Sequence, residues 1–437
     1  MENDIERHVF SDETKNVLII GPGGTGKSYI IKNLLLKAKD KNIKIEATAS
    51  TGVAAVNING TTLHRFFGVG LCQGHIDNII RKVMKNYDAT QRITNTKILF
   101  IDEISMIGAE LFDKLDQVAK YIRKNNEPFG GIKLILSGDF LQLPPVKDKW
   151  IFLSNIWEKL QFKLFFLKEP KRYNDLEFYD MLMRAREGVL TQNDIGKIIE
   201  RTKAYDIYIN NNNNDDVEKN IVKPTILYSQ RIDVDFINKN EINKLSSDIH
   251  LYNAHDFVLP NDEKCDQIFL DISTEKYKQE LDYLAPVILE LKIGTQVMIT
   301  RNLNVEEGIC NGTRAVVTEL NTETITVKTC SGIELLISPV IFSFEDKDIK
   351  ICRKQLPIIV AFALTIHKSQ GSTIDFCIID LGPTIFSPGQ GYVALSRVRD
   401  WNSLLINGFL RKSIKADKKA IEYVNYLEEL YYEDNQN

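Results

Sequence analysis

Eight consecutive residues, Gly21-Pro22-Gly23-Gly24-Thr25-Gly26-Lys27-Ser28, fill the pattern G-x-x-x-x-G-K-S. Glycines in such a loop let backbone N–H groups curl around phosphate oxygens, and a helix starting there adds the positive end of its dipole. Lys27 would reach the β- and γ-phosphates and Ser28 a Mg2+ ion. Further on, Asp102-Glu103 offers two adjacent carboxylates, one to hold the metal and one to polarise an attacking water. Gln142, in Gly138-Asp139-Phe140-Leu141-Gln142-Leu143-Pro144-Pro145, has two readings. It senses a γ-phosphate, or it is loop surface where two prolines end a strand. Arg397, in Tyr392-Val393-Ala394-Leu395-Ser396-Arg397, also has two. It neutralises charge developing in phosphoryl transfer, or it makes a surface ion pair.

Such groups work only if strands and helices place them. Val17–Ile20 is a short β-branched run that enters the glycine loop, and Tyr29–Leu36 reads as the helix that leaves it. Lys97–Ile101 and Ile132–Ser137 are further strands, the first ending at Asp102-Glu103 and the second at Gly138. Strands alternating with helical stretches predict a doubly wound α/β domain with ligands at the carboxyl ends of its strands. Phe162–Leu167 reads as a strand opening a second α/β unit, with an amphipathic helix over Asn174–Arg186. Asn210–Asn214, a run of five asparagines, reads as a surface loop. Thr225–Tyr228 is another strand and Arg231–Leu245 another helix. From Gly294 to Ser343, short β runs alternate with turns such as Asn311-Gly312 and Ser331-Gly332, which predicts a small inserted all-β barrel. α/β texture resumes at Leu356, with a strand over Phe376–Asp380.

Composition sets outer bounds. With 437 residues, roughly 150 per domain allows two to four domains. A hydrophobic fraction of 43% builds real cores and excludes wholesale disorder. No apolar run approaches the roughly 18–20 residues of a membrane helix. The start, MENDIERHVF, reads as neither a signal nor a transit peptide, and the expectation is a soluble intracellular protein. Six cysteines lie far apart with no C-x-x-C pair, which argues against a zinc ribbon or a disulfide framework. Net charge is -4, from 55 basic and 59 acidic residues, and by itself this speaks against a nucleic-acid partner. DNA binding needs only local basic potential, however, so the overall balance does not by itself exclude it.

Taken together, the ordered blocks resemble superfamily 1 helicases of the B type, most closely the petite-integration-frequency (PIF) family. The resemblance runs from Val17 to about Leu405. Its most specific stretch is Asp113–Lys124 leading to Pro128-Phe129-Gly130-Gly131-Ile132-Lys133, similar to the signature that separates PIF helicases from RecD-like relatives. Ser50–Ala55, Thr62-Leu63-His64, Arg301-Asn302-Leu303, Asn311-Gly312-Thr313, Thr365–Gly371 and Tyr392–Arg397 also match.

The resemblance implies an α/β fold of two RecA-like P-loop domains, with a small wedge inserted in the first and an SH3-like β-barrel in the second. The implied bounds are 1–65 and 97–158 for domain 1A, and 66–96 for the wedge. Domain 2A would take 159–290 and 350–437, and the barrel 291–349. The implied activity is ATP-dependent 5′→3′ DNA unwinding driven by opening and closing of the two RecA-like domains. Around ATP and Mg2+ it implies Gly21, Gly23, Gly24, Thr25, Gly26, Lys27, Ser28 and Gly371, with Ser28 and Asp102 on the metal. Lys27, Glu103, Gln142, Arg172 and Arg397 would be catalytic. Thr51, His64, Arg65, Asn302, Thr365, His367 and Lys368 would grip single-stranded DNA through phosphate contacts and stacking rather than base edges. His64 taken alone reads equally as a buried structural histidine.

Implied partners are single-stranded DNA and 5′-tailed duplex or G-quadruplex DNA, with no membrane and a monomeric state in solution. Two other readings share many of these residues. One is a translocase that strips proteins from DNA; the other is a non-catalytic binding module, which the intact Lys27, Asp102, Glu103, Gln142 and Arg397 disfavour. Two departures from the family pattern stand out. No Gln precedes the P-loop to recognise adenine, leaving His8 or Phe10 to stack on the base, or loose nucleotide choice. Arg172 sits in Lys168-Glu169-Pro170-Lys171-Arg172-Tyr173, without the usual Phe before it and Gln after it.

Overall fold

The computed structural model describes residues 2–11, 15–41, 43–70, 72–212, 222–260, 275–301, 303–304, 309, 312–346 and 349–436. They form two compact units: residues 1–191, 387–396 and 414–437 in the first, and residues 192–386 and 397–413 in the second.

Six parallel strands make the sheet of the first unit: β1 (Asn16–Ile20), β2 (Ile45–Ala49), β3 (Thr61–Thr62), β4 (Ile98–Asp102), β5 (Lys133–Gly138) and β6 (Phe162–Phe166). Their spatial order is β3-β2-β4-β5-β1-β6. Every residue of β1 and β4 is buried, as expected of a sheet covered on both faces. The period of two then divides the apolar residues between two cores. Leu18, Ile20, Leu99, Ile101, Leu134 and Leu136 join one, while Val17, Ile19, Phe100 and Ile135 join the other.

The second of those cores is covered by α1 (Glu2–Phe10), α2 (Lys27–Asp40) and α3 (Gly52–Asn57). The first is covered by α4 (Leu63–Phe67), α5 (Ile76–Met84), α6 (Tyr87–Asn95) and α7 (Ala109–Arg123). The Asp113–Lys133 stretch, so specific in sequence, is a packing device here. Phe129 and Gly130 turn with φ of 50° and 63°, and Asp116 Oδ1 accepts from Phe129 N–H at 2.7 Å. Arg123 donates to the carbonyls of Gly130, Ile93, Thr94 and Thr96, fixing the end of α6 to that turn.

Three expectations change. Phe162–Leu167 does not open a second α/β unit: β6 pairs with β1 along its whole length and closes the first sheet. A hydrophobic strand carries no mark of which sheet it joins, and the preceding stretch of short turns misleads. Asn210–Asn212 belong to a helix, because the amphipathic pattern before them propagates one more turn; Asn213 and Asn214 lie outside the described residues. The antiparallel region is also wider than Gly294–Ser343.

After α8 (Leu176–Glu187), the second unit starts with α9 (Gln192–Asn212), β7 (Thr225–Tyr228) and α10 (Arg231–Lys244). Antiparallel structure then runs through β8 (His250–Asn253), β9 (His255–Pro260), α11 (Glu275–Leu284), β10 (Ile288–Leu291) and β11 (Gln296–Ile299). It continues in β12 (Arg314–Leu320), β13 (Ile325–Thr329), β14 (Glu334–Ile337), β15 (Val340–Asp346), β16 (Ile349–Gln355) and β17 (Ile358–Val360). These strands form sheets ordered β14-β13-β12-β11-β17, β15-β16-β9 and β10-β8. β8 shows solvent three of its four residues, so its alternation is too polar to read in sequence. Parallel texture returns with β18 (Ala363–Thr365), α12 (Ile366–Ser369), β19 (Cys377–Leu381) and β20 (Leu404–Phe409), in the order β18-β7-β19-β20.

The chain rejoins the first unit through α13 (Gln390–Leu395) and α14 (Lys418–Gln436). α14 buries Ala420, Val424 and Leu427 in the core that also holds Phe140 and Trp157. Among the described residues, no helix is long and apolar enough to cross a membrane.

Candidate functional site

The glycine loop leaves β1 at the carboxyl edge of the first sheet, where β4 and β5 also end. Gly21 N–H donates to Gly138 O at 3.2 Å, joining the loop to the end of β5. Gly24 and Gly26 have φ of 84° and 93°, left-handed values that side-chain-bearing residues avoid. A Cβ at Gly24 would meet Tyr173 Cε2 at 2.7 Å and Arg172 Cβ at 2.8 Å. Gly24 O in turn accepts from the amides of Lys171 and Arg172 at 2.9 and 3.1 Å. Thr25 Oγ1 donates to Pro22 O at 2.9 Å, and Gly26 is the left-handed N-cap of α2, with Ser28 exposed in its first turn.

Lys27 Nζ donates to Gly21 O at 2.6 Å and Pro22 O at 2.9 Å. Burial lowers its pKa, while the charges of Asp139, Glu103 and Asp102 oppose that shift. Three carboxylates thus face one ammonium. Asp102 ends β4 with Oδ1 accepting from Ser137 Oγ at 2.8 Å. Burial, with the Glu103 charge beside it, raises Asp102 to about 7. A bound divalent cation reverses that tendency by favouring the carboxylate. Glu103 itself adopts φ 53° and ψ 49°, a left-handed turn that starts the loop after β4.

The donor set suits a phosphate ester with Mg2+. Backbone amides and Lys27 would serve phosphate, and the Ser28 hydroxyl and Asp102 carboxylate match an ion that takes one or two protein oxygens and completes its shell with phosphate and water.

Gln142 is 4% exposed, so it is not loop surface. Its N–H donates to Asp139 O at 3.0 Å. Arg172 Nη1 and Tyr173 Oη both donate to Ser396 O, at 2.9 and 3.1 Å. His8 sets its ring edge-on to Phe165 with centroids 5.6 Å apart, and Lys41 lies 4.7 Å over the Phe10 ring.

Arg397 is 1% exposed, which rules out the surface ion pair. It lies two residues past α13, and its Nη1 donates to Ser369 O and Ser372 O at 3.1 and 3.2 Å within the second unit. Gly371, between those carbonyls in sequence, is exposed with φ 80°.

The strand-gripping candidates share one local device. In Thr62-Leu63-His64-Arg65, Thr62 Oγ1 accepts from Arg65 N–H at 3.4 Å and caps α4. In Thr365-Ile366-His367-Lys368, Thr365 Oγ1 accepts from Lys368 N–H at 3.1 Å and caps α12. Each unit therefore carries a strand, a threonine N-cap, and a histidine and a cation in the first helical turn. Burial lowers the pKa of both His64 and His367. Thr51 Oγ1 accepts from Ala54 N–H at 3.2 Å at the start of α3. Arg65 O accepts from Arg92 Nη2 at 3.1 Å, holding the α4 turn to α6. Asn302 lies outside the described residues.

Sequence reasoning missed a buried pair beside the loop. Arg186, on the last turn of α8, donates to Asp139 Oδ1 at 2.7 Å, with Nε 3.1 Å from both carboxylate oxygens. Both side chains are buried, and burial with excellent geometry is what makes such a pair costly to break. The signal was present: Arg186 falls on the apolar stripe of α8 with Leu182 and Ala185. Tyr392 was missed as well, and its hydroxyl accepts from Gly23 N–H at 3.0 Å.

Comparison with known proteins decides the family. A model described as PIF1-like helicase matches residues 2–194, and one described as DNA helicase Pif1, 2B domain, matches residues 280–320. The crystal structure of Pif1 helicase from Candida albicans is 32% identical, covering 98% of each chain with a TM-score of 0.78. The chain belongs to the PIF1-like helicase family. The ATP-dependent DNA helicase PIF1 of Danio rerio is 35% identical over 424 residues, 94% of this chain. The chain spans only 62% of that relative's length. A Pif1 helicase from Bacteroides, crystallised with ADP-AlF3 and single-stranded DNA, is 25% identical with a TM-score of 0.66 and covers 98% of this chain and 96% of its own. These PIF1-like relatives agree with the α/β fold and the parallel sheet that carries the P-loop.

Proposed function

We propose that the chain is an ATP-dependent DNA helicase that moves 5′→3′ on single-stranded DNA and unwinds 5′-tailed duplex, with folded DNA such as G-quadruplexes among its substrates. The observation that carries this reading is Lys27, held on two loop carbonyls with Asp102, Glu103 and Asp139 around it. The Bacteroides relative with its nucleotide analogue and single-stranded DNA supports the same ligand classes.

ATP and Mg2+ supply the γ-phosphoryl group and the cation that offsets its charge. Gly24, Thr25 and Gly26 would present amides to phosphate, while Gly21 and Gly23 shape the loop with theirs on Gly138 O and Tyr392 Oη. Lys27 would move from loop carbonyls to phosphate, and Ser28 and Asp102 would hold the metal. Glu103 and Gln142 orient water, and Arg172 and Arg397 stabilise developing charge, which requires Arg397 to leave Ser369 O and Ser372 O. Thr51, His64, Arg65, Asn302, Thr365, His367 and Lys368 grip DNA, and opening and closing of two RecA-like domains moves the grips. The wedge at 66–96, the barrel at 291–349 and a monomeric state remain proposed, but 159–191 and 414–437 go with the first RecA-like domain rather than the second, since β6 closes the first sheet and α14 packs in its core.

The test is ATP turnover with and without single-stranded DNA. Wild-type turnover rises strongly with DNA, and Lys27→Ala reduces it by several orders of magnitude. Turnover retained in that variant overturns the assignment of the loop.

A further inference from the structure

One group at the loop has no role in the account above. Tyr392 is 1% exposed, and its Oη accepts from Gly23 N–H at 3.0 Å, at one of the amides of the phosphate-binding loop. Burial, together with Asp139 and Tyr173 nearby, keeps the phenol neutral. A neutral phenol that accepts one hydrogen bond still has its own proton to give. Lys27 Nζ holds Gly21 O and Tyr392 Oη holds Gly23 N–H, two residues apart in the same loop, and Asp139 and Arg186 act electrostatically on both groups.

The segment bearing Tyr392 is fastened to the loop a second time. Four residues on, Ser396 O takes hydrogen bonds from Arg172 and Tyr173, and the amides of Lys171 and Arg172 close on Gly24 O. Gly23 and Gly24 are thus enclosed by two pieces of chain that also hold each other.

We infer that Tyr392 is a ligand of the terminal phosphate, its hydroxyl accepting from Gly23 N–H and donating its proton to a phosphate oxygen. The inference rests on the P-loop reading and extends it. An oxygen carrying that charge is a stronger acceptor than any neutral partner. The bond exists only with a triphosphate, so Tyr392 discriminates ATP from ADP. It also links nucleotide state to the segment that ends at Ser396, next to Arg397.

The experiment is equilibrium titration of the full chain with fluorescent ADP and with a non-hydrolysable ATP analogue, in wild type, Tyr392→Phe and Lys27→Ala. Phenylalanine keeps the ring and removes only the hydroxyl. Expected for Tyr392→Phe is about tenfold weaker binding of the triphosphate, with ADP affinity within about twofold of wild type. A hydroxyl that merely props the loop would lower both affinities by the same factor. That result, or two unchanged affinities, overturns the inference. If wild type binds neither nucleotide, or Lys27→Ala binds both normally, the P-loop reading fails and the inference falls with it.

Discussion

Two histidines in matching positions, His64 and His367, have imidazoles that burial keeps neutral. A neutral ring can stack or donate one hydrogen bond to DNA without a standing charge to desolvate. The sign of the resulting pH effect is determined. Their folded pKa values lie below the ordinary value near 6.5, so the unfolded chain binds protons first as pH drops. Their contribution to stability is complete above pH ~6.5 and is lost on acidification below it. The double variant His64→Gln, His367→Gln should melt with a flatter pH dependence than wild type between pH 7 and 5. An unchanged pH profile would mean that neither ring is buried as described. At this scale the sequence was legible where a residue type is diagnostic in fixed spacing, as in the P-loop or Asp102-Glu103. It was silent on Arg186 and Tyr392, because their partners Asp139 and Gly23 are distant in sequence and only the fold supplies them.

At the scale of elements, the first unit is completed by the far end of the chain. Tyr423 of α14 stacks on Phe152 with ring centroids 4.0 Å apart and planes 14° from parallel. Its hydroxyl accepts from Trp157 Nε1–H, and burial raises its pKa. Lys168 reaches Glu428 and the Tyr432 hydroxyl at 3.3 and 2.9 Å, adding exposed contacts of small value. Tyr423→Ala should cost about 3 kcal/mol of unfolding free energy, through lost packing and an indole N–H without its partner. Denaturant unfolding measures this, and a loss below about 1 kcal/mol would show that α14 is dispensable to the core. The aromatic stack and the buried Ala420, Val424 and Leu427 show that this charged tail packs on the first core. β6 was misplaced for the opposite reason. Its apolar run fits any sheet, and only the register with Asn16–Ile20 assigns it.

At the scale of the whole molecule, the proposed function asks a chain of net charge -4 to bind a polyanion. DNA binding then needs cations where the strand is held, Lys368 among them; burial lowers its pKa and Arg231 adds to that, while Asp235, paired with Arg231, opposes it. Affinity for single-stranded DNA should therefore fall steeply with salt. Lys368→Ala should weaken binding at all sequences alike and reduce the log–log salt slope by about 0.7, one phosphate contact. An unchanged slope would remove Lys368 from the DNA path. The fold class and the P-loop domain were legible at this scale because each strand ends in chemistry of a recognisable kind. The full antiparallel region was not, because its outer strands are short and polar.

The central claim is directional movement on single strands powered at the P-loop. Unwinding of one duplex carrying either a 5′ or a 3′ single-stranded tail, with ATP and Mg2+ at equal protein concentration, tests it most directly. The account predicts strand separation from the 5′-tailed duplex alone, abolished by Lys27→Ala; equal unwinding from the 3′ tail, or unwinding that survives Lys27→Ala, would contradict it.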